Sequence, residues 1–254
     1  GGLASNSGKG IQVVESSTLG GLAVSATSYL DIAASKTIDG PIKLQGDADL
    51  TIKGSGEYLG DMELAGGIFR VDKDRDLAGT LSVTANSEII VPQDYTLTLN
   101  QTGGLELGAK TLILGGGGNL QSAGLDLNHQ NSKLHLTSIT INSVSTSESS
   151  LGLDIDSDST ITSLTVNNIT PVAIASEKTL SGAISVSGGS LNLTETGTLA
   201  SAITMSGGKL DADESMTVSG TLIQAGNTTI DVISGKTITF DAGTINTENY
   251  QLTL

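Results

Sequence analysis

The chain has 254 residues and a formal charge of −15, from 27 acidic and 12 basic side chains. So acidic a surface excludes nucleic acid and anionic membranes as partners, since both need a basic footprint, and no apolar run approaches the about 18 residues of a membrane-spanning helix. Cysteine is absent and aromatics make up only 2 %, so disulfides are excluded and the interior must be built from aliphatic side chains rather than large rings.

In chain order, the first residues read GGLASNSGKG without Met, which suggests a processed product or part of a longer chain. Residues 1–17 are expected to be a lead-in and partial cap, although residues 11–14 (IQVV) already alternate like a strand. Residues 18–254 read as one solenoid. Its turns open at Thr18, Thr37, Tyr58, Asp76, Thr96, Asn119, Ser138, Thr160, Thr179, Thr198, Thr217 and Thr237.

Several segments along this path carry polar chemistry. Asp72-Lys73-Asp74-Arg75-Asp76 reads as a solvated mixed-charge corner. Gly115–Gly118 reads as a wide turn, because no Lys-Ser/Thr follows it as a phosphate loop requires. In LDLNHQNSKLHL, His135 alternates with Leu134 and Leu136 and should point outward. His129 and His135 read as solvated surface groups, since no third ligand stands at zinc spacing. Asp154, Asp156 and Asp158 recur at alternate positions like the opening of a Ca²⁺ loop and are the candidate metal ligands. Ser159 and Thr165 stand where such a loop needs Gly and Glu, so the simpler reading is a strand leaving the core with surface carboxylates. Asp211, Asp213 and Glu214 invite the same reading. No catalytic residue and no other cofactor is expected.

The repeat is plainest between Thr179 and Lys236. Three blocks, TLSGAISVSGGSLNLTETG, TLASAITMSGGKLDADESM and TVSGTLIQAGNTTIDVISGK, share an opening Thr-aliphatic pair, a central turn and an alternating apolar pair. Within the first, Leu180, Ile184, Val186, Leu191 and Leu193 fall at positions 2, 6, 8, 13 and 15. Spacing by two means strands with one buried face, and a fixed period of this length means units that bury their apolar faces only by stacking. The fold class is therefore all-β: a single right-handed parallel β-helix of about 12 rungs, roughly 19–20 residues each. At about 4.8 Å per rung the rod is roughly 55–60 Å long. The last residues, YQLTL, still alternate like a strand.

GTLSV (79–83), SGAISVSGGSLNL (181–193) and SGTLIQAGNTTIDV (219–232) resemble the Gly/Ser/Thr-rich rungs of autotransporter passenger domains and the repeats of filamentous-haemagglutinin-like adhesins. That resemblance implies a secreted rod on the bacterial surface, working as a stalk, adhesin or filament element. The expected partners are another copy stacked end to end, a host or matrix surface, or carbohydrate. Two other readings are weighed. A polysaccharide-active β-helix enzyme needs clustered carboxylates with a basic partner and aromatic platforms, and these are not evident. An ice-binding solenoid needs two adjacent Thr columns, and only Thr98, Thr162 and Thr239 complete a pair with an opening Thr.

Overall fold

The computed structural model describes residues 3–6, 10–241, 244–247 and 250–253, and the regular structure among them is β-strand throughout. The strands stack in parallel as a β-solenoid of about 12 turns with about 20 residues per turn. They form a 14-stranded sheet, a 16-stranded sheet and a four-stranded sheet. Alternation puts one side of each strand into a single core that runs from Val13 to Ile230. All five expected positions of the Thr179 rung (Leu180, Ile184, Val186, Leu191 and Leu193) are buried. Each such aliphatic side chain stabilises the stack by about 1.5–3 kcal/mol relative to exposure.

The cross-section changes along the rod. In the N-terminal turns each rung has three short strands, as in Thr37–Asp39, Ile42–Gln45 and Asp49–Gly54, one for each sheet. Tight corners separate them. The corner between the first two strands carries Gly40, Gly60 and Gly79 stacked on one another. A Cβ on Gly60 would lie 2.0 Å from the Gly40 carbonyl oxygen, and one on Gly79 would lie 2.1 Å from that of Gly60. Rung spacing therefore demands glycine there. Further on, that corner opens out. Thr140–Thr146 pairs with both Asn119–Gln121 and Leu125–Asp126, and the two short strands merge into long ones. Ser159–Val166, Thr179–Val186 and Thr198–Met205 follow it, so each of these rungs has two strands.

Between the two regions the four-stranded sheet stops at Leu81–Val83. The loop at residues 100–104 intervenes before Leu105–Glu106, and the Gln101 side chain substitutes for the missing strand. Its Oε1 accepts from Leu81 N at 2.8 Å, and its Nε2 donates to Gly104 O at 3.3 Å.

Near the N-terminus Leu3–Asn6 pairs antiparallel with Gly10–Val13 at the edge of the 14-stranded sheet. Residues 1, 2 and 7–9 of the expected lead-in lie outside the described residues. At the other end Leu252–Thr253 pairs in parallel with Thr228–Thr229, and Leu254 of the YQLTL segment lies outside the described residues.

Several of the expected rung openings need correction. Thr18 pairs with Asp39, so Ser16 is the residue equivalent to Thr37. Tyr58 aligns with the inward residues Ile38 and Leu77, so Glu57 is the residue equivalent to Thr37. Asp76 pairs with Thr98, which puts the true counterpart of Thr96 at Asp74. Ser138 is a left-handed turn residue with φ 67°, and Thr140 is the one in register with Asn119. In each case corner length varies by one or two residues, while inward parity is kept by the core.

Candidate functional site

Corners are built from polar side chains that stand in for backbone carbonyls of the neighbouring rung. Ser16 Oγ accepts from Thr37 N, Asp74 Oδ1 from Thr96 N, Asp158 Oδ1 from Thr179 N and Ser215 Oγ from Thr237 N, at 2.8–3.1 Å. Asp61, Asn86 and Asn142 do the same for Thr80, Thr111 and Ser122. A buried or half-buried N–H must find an acceptor wherever the ladder turns, which explains much of the chain's Asp, Asn and Ser.

The outward charges on the sheets also bridge rungs. Lys43 meets Glu63, Arg70 meets Asp49, Lys133 meets Asp154, and Lys236 meets Glu214. Lys209 sits between Asp211 on its own strand and Asp231 on the next rung, at 3.0 and 2.8 Å. Its hydrogen bonds to Asp231 and Asp211 raise its pKa, and the same bond lowers that of Asp231.

The three candidate calcium ligands go to three different partners. Asp154 and Asp156 point outward from Gly152–Ser157, as alternation requires. Asp154 pairs with Lys133. Asp156, at a register shift, lies 2.7 Å from His135 Nε2, and Asp158 holds the Thr179 corner. Among the described residues no group of three or more His, Asp or Glu side chains is placed to hold a metal ion. His135 points outward as expected, and His129 Nδ1 accepts from Asn131 N at 3.0 Å.

The 72–76 segment is the clearest correction. Arg75 is only 5 % exposed. Two positions from the inward Leu77, it points into the rod and donates through Nη1 to Gly56 O at 2.5 Å and through Nη2 to Gly54 O at 2.8 Å. Burial pulls its pKa down while the nearby Asp72 carboxylate opposes that. Arg75 Nε and Asp72 Oδ1 are both buried without a protein hydrogen-bond partner. Parity with Leu77 was the sequence signal for this inward position. Tyr58 is likewise fully buried, and burial raises its phenol well above the ordinary range. Its hydroxyl lies 3.0 Å from Gly40 O and 2.5 Å from Asp61 O, two carbonyls that share one proton.

Two outward surfaces stand apart. The first covers the four-stranded sheet, where Ala23, Lys43, Glu63 and Ser82 form one outward column in register across four rungs. Between them and the corner residues Gly21 and Pro41 lies an open groove of about 750 Å³. The Lys43–Glu63 pair, 2.7 Å apart, sits in its middle, and Glu63 also accepts from Thr84 Oγ1 at 2.7 Å. The Lys43 bond, then the Thr84 bond, hold the Glu63 carboxyl below the usual carboxylate range.

The second is the outer face of the four long strands. Its columns run Thr140–Thr160–Ser181–Ala200 and Ser145–Thr165–Ser185–Thr204, with no charged residue in those strands. The expected opening-Thr ladder is in register at Thr179, Thr198 and Thr217 but continues to Thr239, not Thr237. Thr160 meets Ser181, not Thr179, because two extra residues occupy the intervening corner.

No protein-family model, curated protein or solved structure matches the chain.

Proposed function

We propose that the chain is a non-catalytic extracellular β-solenoid, a rigid rod that serves as a surface stalk, adhesin or filament element and that stacks end to end with other copies. One observation carries this reading: its polar groups are engaged in stacking. Asp154, Asp158, Asp61 and Glu63 are each tied to a cation or backbone amide about one rung away. A general base must hold a pKa near the working pH to take its substrate's proton. Glu63 is instead held low by Lys43. Such an arrangement suits a mechanical role, in which each rung stiffens the next.

A polysaccharide-active enzyme is the reading from another class. Both are tested by incubating the purified chain with immobilised polysaccharides and matrix glycoproteins, then measuring retained protein and released sugar in the same wells. Retention without release is the expected result; soluble product accumulating with time would overturn it. The ice-binding alternative has the charge-free face in its favour, but Ala183, Ala200 and Ala202 interrupt its hydroxyl columns.

A further inference from the structure

We infer that the groove over the four-stranded sheet is a binding site for a neutral, hydroxyl-rich chain, a short neutral oligosaccharide. This rests on the reading of the chain as an adhesive rod and names what the rod would hold.

The chemistry of the lining selects that ligand. Lys43 Nζ has three N–H donors, and one is bonded to Glu63 Oε1. Thr84 also donates to Oε1, so Oε2 keeps its acceptor capacity. A cationic donor and an anionic acceptor thus stand side by side on adjacent rungs, each with capacity left. Two neighbouring hydroxyls of one sugar ring fit this pair: one donates to Glu63 Oε2, and the other accepts from Lys43 Nζ. The walls formed by Leu22, Ala23 and Pro41 are apolar and carry no aromatic ring. They suit the C–H face of a sugar, and a mostly apolar cleft with a few convergent polar groups is the usual form of a ligand site.

Charge decides against a polyanion, and the pairing already present counts against a polycation. The Lys43–Glu63 pair is neutral as a unit, and Asp61 adds a further negative charge on the rim. A polyanion meets two carboxylates there on a chain of net charge −15. A polycation is drawn by that same excess charge, but it meets Lys43 at close range and finds Glu63 Oε1 and Asp61 Oδ1 already engaged. Without an aromatic platform a single groove binds weakly, and useful attachment comes from many rods acting together.

The test uses the ¹⁵N-labelled chain and four probes: cellohexaose, mannohexaose, hexagalacturonate and a fully deacetylated chitosan hexamer. At least one neutral probe is expected to shift the amides of Ala23, Lys43, Glu63 and Ser82. The double variant Lys43→Met/Glu63→Gln should weaken that binding at least about tenfold while the Tm stays near the parent's, because the pair is exposed. Ala23→Ile, which narrows the groove beside Lys43 without adding an aromatic platform, should weaken it as well. The proposal is overturned if neither neutral probe moves these amides, if hexagalacturonate or the chitosan hexamer binds more tightly, or if both variants bind like the parent. Attachment to glycoprotein-coated surfaces separates the two readings. Attachment unchanged in the double variant removes the groove and leaves the adhesive rod. Hexasaccharide binding in the groove with no attachment to any surface leaves the groove and removes the adhesive rod.

Discussion

The three-stranded N-terminal turns and the two-stranded turns between Thr140 and Met205 use one core in different ways. In the former, glycine corners fold each rung sharply, and inward positions accept large or charged side chains such as Tyr58, Phe69 and Arg75. In the latter, long strands carry aliphatic columns inward and an uncharged Ser/Thr/Ala face outward. The groove lies over the three-stranded turns, where the outward column advances by 20, 20 and 19 residues per rung, while buried polar groups run through both regions, from Arg75 to Thr228.

The largest expected effect breaks the N-terminal region alone. Gly60→Val places a side chain against the Gly40 carbonyl and should cost about 4 kcal/mol or more. Gly103→Ala, with open space around it, should change the denaturation midpoint little. If Gly60→Val melts like the parent, the stacked-glycine corner is wrong.

Next come two core changes, one per region. Leu199→Ala removes a fully buried side chain and should cost about 2–5 kcal/mol. Arg75→Met leaves the Gly54 and Gly56 carbonyls and the Asp72 carboxylate without their cation, at about 3 kcal/mol. Equal or higher stability of Arg75→Met in urea would show that the guanidinium is dispensable to the fold.

Corner side chains should matter less, and equally in both regions. Asp74→Ala and Asp158→Ala each orphan one backbone N–H, worth about 1 kcal/mol. Because Asp158 serves the Thr179 corner, adding a chelator should leave the melting temperature of the parent unchanged. A fall in Tm on chelation, restored by Ca²⁺, would return Asp154, Asp156 and Asp158 to a metal site.

The smallest effect is a pH dependence. The folded state holds Glu63 ionised below the ordinary carboxylate pKa, so its contribution is complete above that ordinary value and is lost as pH falls through the folded one. Glu63→Gln should therefore lower Tm slightly at pH 7 and by less at pH 2. An equal difference at both pH values would mean that the ion pair is not its source.

Much of the fold was legible in the sequence. Alternation by two identifies Leu180, Ile184 and Val186 as core wherever a strand runs, since parity is a local property. Arg75 obeys the same parity as Leu77, and only its charge made it read as a surface residue. The surfaces were harder, because they depend on which rung residues stand side by side. The Thr179 and Thr198 openings align at 19 residues, yet Thr160 meets Ser181 and Thr217 meets Thr239. The column of Ala23, Lys43, Glu63 and Ser82 appears only once three corner lengths are known.

Both regions belong to one continuous stack, and amide hydrogen exchange along the chain tests that most directly. The stack requires protected amides in the inter-rung ladders of both regions, from Thr27–Ile32 to Thr228–Val232, with faster exchange confined to corners and to the loop at residues 100–104. Protection restricted to one region, or lost through Thr179–Val186 and Thr198–Met205, would contradict it.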